Sequence, residues 1–166
     1  MTNSIDAASL ERLATSETPD LIRLAYRILG SADDAEEVVQ AAFLEMLTKC
    51  PELKKVINPK GFLRHMVICR SLDALRKRRG THTLDFVPPS HRSPQPDAIV
   101  IAREWLSLFQ IALCSLSPRQ SEIFALRYLS NTSNTEIAKD LGLSENAVAV
   151  ALRKARIELQ ALIEKD

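Results

Sequence analysis

Apolar residues recur along most of this chain at intervals of three and four, the period of one face of an α-helix, while period-two alternation is scarce. Leu21, Leu24, Ala25, Ile28 and Leu29 make a first stripe, opened by Pro19 and Asp20 and closed by Gly30. Ser31, with Asp34 three residues later, resembles a capping box and starts a second helix. Its stripe is Ala35, Val38, Val39, Ala42, Phe43, Met46 and Leu47, and Pro51 stops it. Asn58 and Pro59 mark a third start, followed by Phe62, Leu63, Met66, Val67, Cys69, Leu72 and Leu75 before Gly80.

The periodicity then fails. Residues 80–97, GTHTLDFVPPSHRSPQPD, hold four of the eight prolines, which is the composition of a linker. Beyond it, Ile99, Ile101, Ala102, Trp105, Leu108, Phe109, Ala112 and Leu113 predict an amphipathic helix. Ser117, Pro118 and Gln120 supply the cap, first-turn proline and capping-box partner of another, which buries Ile123, Phe124, Leu126 and Leu129. The pattern predicts an all-α protein of two small helical domains, 1–80 and 98–166, joined by a Pro-rich linker at 81–97. At that size a lone core is marginal, so docking onto a partner is expected to contribute to each fold.

The segment TEIAKDLGLSENAVAVAL, Thr135 to Leu152, reads as a short helix, a turn at Gly142 and a second helix capped by Ser144. Ala138 is small where two helices cross, Gly142 tolerates positive φ, and Ile137, Leu141, Leu143, Val148 and Leu152 fill the wedge. This is a helix-turn-helix, and DNA binding is its expected use. The recognition helix is unusual, because Ala147, Ala149, Val150 and Ala151 stand where polar side chains normally read base edges. Groove contacts fall to Glu145 and Asn146 beside the Ser144 cap, and to Arg153, Lys154 and Arg156 further along. From Ser117 to Asp166 seven cations meet seven acids, so this half on its own would bind DNA poorly.

Composition removes other classes. With 46% apolar and 26% charged residues in 166, the chain should fold. No uninterrupted apolar run approaches the roughly 18 residues needed to cross a bilayer, and the polar, acidic start is unlike a signal peptide. A cytoplasmic protein without membrane insertion is expected. Cys50, Cys69 and Cys114 lack CxxC spacing, and His65, His82 and His91 show neither HExxH spacing nor a cysteine neighbour at ligand distance. No metal and no cofactor are therefore expected. GxSxG, P-loop and GxGxxG motifs are absent, so no enzyme and no catalytic residue are predicted.

The net charge of +1 conceals a polarity. Between Ser31 and Glu52 six acids face one lysine, whereas between Leu53 and His82 nine cations face Asp73 alone. Such a cationic tract, Lys54, Lys55, Lys60, Arg64, Arg70 and the run Arg76, Lys77, Arg78, Arg79, predicts contact with a polyanion, nucleic acid foremost.

An acidic helix, a basic helix, a proline-rich linker and a helix-turn-helix, in that order, resemble the extracytoplasmic-function group of bacterial RNA polymerase sigma factors. DDAEEVVQAAFLEML (Asp33 to Leu47) is similar to that family's DAEDxxQxxF helix, and GFLRHMVICRSLDALRKRR (Gly61 to Arg79) to its WLxxIAxNxxxDxxRxxxR helix. LSPRQSEIFALRYL and the closing LRKARIEL (Leu152 to Leu159) resemble its C-terminal module. The resemblance implies a dissociable initiation subunit whose partners are core RNA polymerase, promoter DNA and, as in much of the family, an anti-sigma factor. It places the polymerase contact on Asp34, Glu36, Glu37, Gln40 and Phe43, and capture of a flipped promoter base on Lys54, Lys55, Asn58 and Lys60. The minus-ten contact falls on Arg64, His65, Cys69, Arg70, Asp73, Arg76 and Lys77. Phe62 replaces the usual Trp, Cys69 the usual Asn, and Ala149 to Ala151 a common Lys-Ser-Arg, all on the DNA side. Two alternatives stay open: a sigma-like decoy that binds polymerase without reading a promoter, and a free-standing helix-turn-helix regulator.

Overall fold

The computed structural model describes residues 7–49, 56, 58–81 and 97–164. Lys54, Lys55, Cys50, His82, His91 and linker residues 82–96 lie outside the described residues. Among the described residues there are seven helices and no strand. They are α1 (Ala7–Leu29), α2 (Ala32–Thr48), α3 (Pro59–Thr81), α4 (Asp97–Ser115), α5 (Pro118–Tyr128), α6 (Asn134–Leu141) and α7 (Glu145–Ile163).

Helix α1 begins twelve residues before the start expected at Pro19, which sits inside it. A mid-helix proline forfeits one backbone hydrogen bond. Around it the hydroxyls of Thr15, Ser16 and Thr18 donate to the carbonyls of Glu11, Leu13 and Ala14 at 2.9, 3.2 and 2.6 Å. The continuation is held by tertiary packing, since Leu10 is buried in one core with Leu21, Ala25, Val39, Met46, Leu63 and Val67. That core joins α1, α2 and α3.

A second core ignores the division into halves. Leu24, Ile28 and Leu29 of α1 and Ile68, Leu72 and Leu75 of α3 pack with Leu113 of α4, Ile123 and Leu126 of α5, Ile137 of α6 and Val148 and Leu152 of α7. Polar contacts follow the same seam. Gln110 Nε2 donates to the carbonyls of Ile28 and Leu29 at 3.0 and 3.1 Å, and Arg27 donates to the Leu129 carbonyl at 2.8 Å.

Two expected stripes are displaced. In α2, Leu47 is 53% exposed, because the seven predicted positions span more of the helix than one core can cover. In α4, Ile99, Ile101, Ala102, Trp105 and Leu108 face outward, Val100 and Leu106 are half-buried, and full burial comes only at Gln110 and Leu113. Ala98–Ser115 has a mean hydropathy of 1.4, so by length and composition it is apolar enough to cross a bilayer, contrary to expectation. Arg103 and Glu104 interrupt it, and its C-terminal half is docked in the second core.

Candidate interaction surfaces

The acidic helix presents what its sequence promises. Ser31 caps it, its Oγ accepting from the Asp34 amide at 3.3 Å, and Glu36, Glu37 and Gln40 project into solvent. Phe43 is half-buried against the first core, and Asp34 is engaged by Arg78 at 3.3 Å. Between α1 and α2 runs an apolar groove of 560 Å³, lined by Ala14, Thr18, Ile22, Val39, Phe43, Leu44 and Leu47 with Glu36 and Gln40. Leu44 and Leu47, 62% and 53% exposed, were missed as surface residues. Their signal was the excess width of the apolar stripe.

Helix α3 is basic but not freely so. Lys60 meets Glu17 at 3.0 Å, Arg70 pairs with Glu45, and Arg78 donates to the Leu29 carbonyl at 2.9 Å. Four further side chains reach into the C-terminal half. Arg64 donates to Thr132 Oγ1 at 3.1 Å, Arg76 to Ser121 Oγ at 2.6 Å, Arg79 to the Ser107 carbonyl at 3.1 Å, and His65 pairs with Glu122. Asn58 is exposed, its Oδ1 accepting from the Gly61 amide at 3.1 Å as the cap of α3. Exposed Lys77 and Asp73 complete this face, with Arg76 3.6 Å from Asp73. The structure therefore gathers the expected minus-ten residues on one helix and covers several of them with the other half.

His65 and Cys69 lie one turn apart, Sγ 3.9 Å from Nδ1, and Glu122 arrives from α5. This corrects the expectation that no cysteine stands at ligand distance from a histidine, since a separation of four residues is one helical turn. Contact with Cys69 and then with the Glu122 carboxylate pushes the His65 pKa up to about 10. Burial pushes the Glu122 carboxyl upward, but the His65 and Arg119 charges outweigh it and hold it below the usual range.

The helix-turn-helix forms as its punctuation dictates. Ser133 and Glu136 make a reciprocal capping box on α6, Gly142 ends it at φ +65°, and Ser144 caps α7 by accepting from the Ala147 amide at 3.1 Å. Glu145, Asn146, Ala147, Ala149, Val150, Arg153, Lys154 and Arg156 are exposed, while Val148, Leu152 and Ala155 turn inward. The recognition face is thus open, and apolar at its centre.

Two family descriptions match in chain order: Sigma-70 region 2 over residues 13–81 and Sigma-70, region 4 over residues 107–159. A probable RNA polymerase sigma factor of Haemophilus influenzae is 23% identical over 98% of this chain and 92% of its own length. The ECF RNA polymerase sigma factor SigJ of Mycobacterium tuberculosis is 32% identical over 88% of this chain, which spans about half, 49%, of that relative. In fold the chain is similar to CnrH in complex with the cytosolic domain of CnrY (TM-score 0.63, 20% identity, 97% of this chain and 91% of that one). It is likewise similar to the sigma factor RpoE in complex with the anti-sigma factor NepR from Bartonella quintana (TM-score 0.57, 23% identity, 96% and 99% covered). With an acidic helix, a basic helix and a helix-turn-helix at the matched positions, this chain belongs to the extracytoplasmic-function group of the sigma-70 family of RNA polymerase sigma factors.

Proposed function

We propose that this chain is a dissociable initiation subunit that works in the cytoplasm, docking on core RNA polymerase through the α1–α2 groove and engaging promoter DNA through α3 and α7. The observation that carries the reading is the groove itself: an apolar floor including exposed Leu44 and Leu47, rimmed by Glu36 and Gln40. A surface of that kind suits a basic, apolar-cored partner better than solvent. Glu37, Gln40 and Phe43 belong to the polymerase contact, and Asp34 and Glu36 add charge to it. Residues 1–80 and 98–166 serve as the docking and helix-turn-helix units, joined by 81–97.

On the DNA side, Asn58 and Lys60, with Lys54 and Lys55, approach a flipped base, which costs a few kcal/mol that phosphate contacts offset. Arg64, His65, Arg70, Arg76, Lys77, Arg78 and Arg79 approach the melted strand. Glu145, Asn146, Arg153, Lys154 and Arg156 approach the upstream duplex from the capped start of α7 onward. Because Arg64, His65, Arg76 and Arg79 are engaged by the C-terminal half, the docked arrangement is a closed form, and DNA binding requires the halves to part. An anti-sigma factor is a suitable partner for that closed form, since both similar solved structures are complexes with a second protein.

Reconstituted transcription with bacterial core polymerase tests the reading: promoter-dependent transcripts are expected, and their absence with a competent core rejects it. The exposed Ala147, Ala149 and Val150 favour one second reading, polymerase binding without promoter recognition. Retention on core enzyme without crosslinks to promoter DNA would select it.

A further inference from the structure

At the seam between the halves, and outside the polymerase groove, three chemically complementary side chains converge. His65 and Cys69 are offered by successive turns of α3, and Glu122 is offered by α5. One donor atom from each lies within 4.8 Å of the other two, and Sγ to Nδ1 is 3.9 Å. Around a tetrahedral zinc ion, with bonds of about 2.0–2.3 Å to N, O and S, neighbouring donors stand roughly 3.3–3.8 Å apart. Small side-chain rotations that open the direct His65–Glu122 contact and draw Cys69 inward reach those spacings. We infer that His65, Cys69 and Glu122 form a binding site for a transition-metal dication of zinc type, which clasps α3 to α5.

Three features favour an ion over a plain His–Glu pair. The donor set is N, S and O, the borderline-soft combination that zinc and cobalt take and that magnesium and calcium do not. The Glu122 side chain is 9% exposed, and its Oε1 is buried against His65 without any donor in hydrogen-bonding geometry. His65 and Glu122 touch directly, yet that contact lacks hydrogen-bonding geometry, and buried polar atoms left in that state are uncommon. Access exists on both sides: a 260 Å³ cavity containing His65 lies beside α6, and a 290 Å³ cavity lined by Cys69, Asp73 and Glu122 lies beside α5. Three protein donors leave a fourth position for water from either cavity. Binding takes the place of the proton shared by the pair, as deprotonated ligands require.

The geometry gives the ion a consequence. Arg64 and Arg76, which contact Thr132 and Ser121 across the same seam, flank the two α3 ligands, His65 and Cys69. An ion seated there favours the closed form, because its ligands come together only when α3 and α5 are docked.

The test is a titration of the reduced full-length chain with Co2+, a spectroscopic stand-in for Zn2+. Thiolate-to-cobalt charge-transfer absorption and the intense visible bands of four-coordinate cobalt are expected, and Zn2+ should bleach both. A variant with Cys50→Ser and Cys114→Ser should keep them, whereas Cys69→Ser should lose the charge-transfer band. His65→Gln and Glu122→Gln should each weaken binding by more than the roughly tenfold to hundredfold that loss of an outer-shell partner costs. Zn2+ should also raise the unfolding temperature of the unaltered chain and not that of Glu122→Gln, each compared with its own metal-free melt. Absence of the charge-transfer band in the unaltered chain, or its survival in Cys69→Ser, overturns the assignment. Neither reading involves polymerase, so failure here is separate from failure of the initiation role.

Discussion

Glu45 of α2 holds two cations at once, Lys49 at the C-cap of the same helix at 2.6 Å and Arg70 of α3. The hydrogen bond from Lys49, followed by that from Arg70, keeps its carboxyl below the usual glutamate range. A depressed native pKa adds stability that is complete above the unfolded value and disappears as the pH falls through the native one. The group is close to solvent, so the contribution is that of a surface pair, about 0.2–1 kcal/mol. Glu45→Gln should therefore lower the urea midpoint at pH 7 by a small amount and leave it unchanged at pH 2–3; an equal loss at both values would assign the effect to packing. Glycine gives a larger contrast. Gly30 and Gly142 share positive φ, +69° and +65°, but a Cβ on Gly30 would meet Leu106 Cδ2 at 2.5 Å and one on Gly142 would meet nothing within 4 Å. Gly142→Ala should cost about 1–2 kcal/mol, the backbone term alone. Gly30→Ala should cost slightly more, because the flexible, half-buried Leu106 side chain must also rotate aside. Equilibrium denaturation of the two variants tests the order.

At the scale of the helix, punctuation was legible and tertiary override was not. Most caps that bind their own next turn were read from the sequence: the Ser117–Gln120 box, Gly142 and Ser144 act as expected and Ser31 caps without completing a box, whereas the Ser133–Glu136 box of α6 was not singled out. Such caps are local, so three or four residues determine them. Pro19 misled for the opposite reason. Its cost is local, but the burial of Leu10 that offsets it comes from α2 and α3, which no window around residue 19 contains. Likewise Ile101 and Trp105 have the period of a buried stripe in α4, yet which turns of a helix meet a core depends on where the chain re-enters it. The exposed acids of α2 were legible from charge, while the engagement of Arg64 and Arg76 by the C-terminal half was not, because Thr132 and Ser121 lie 68 and 45 residues away. A cap prediction follows for the most exposed of these junctions. Ser144→Ala removes the acceptor for the Ala147 amide and should cost about 1 kcal/mol. Ser144→Asp should recover that loss, since a carboxylate also caps and suits the positive end of the helix. Thermal unfolding of the two variants reads the difference, and an equal loss in both would show that the hydroxyl acts other than as a cap.

For the whole molecule, the shared second core makes closure and folding one problem. Leu24 and Ile28 on one side of the linker and Ile123 and Leu126 on the other bury each other, so opening exposes apolar surface that neither half covers alone. The proposed function then involves two states: the closed one, which occupies Arg64 and Arg76 internally, and an open one that would offer them to phosphate. A ligand that binds only the open state has its apparent affinity reduced by the open fraction. Ser121, fully buried where α5 meets α3, is the place to bias that equilibrium without altering charge. Ser121→Phe overfills the contact, a change that typically costs 1–3 kcal/mol in a packed site, and the seam relieves it by separating. Small-angle scattering should show a larger radius of gyration for the free variant. Its binding to promoter DNA premelted to single strands at the minus-ten region should tighten and become steeper in salt, by roughly 0.7 in log affinity against log concentration for each arginine released to a single-strand phosphate. Two arginines predict a slope steeper by about 1.4. Expansion without a steeper slope would mean that α3 does not take up DNA when uncovered, and would move the promoter contact onto α7 alone.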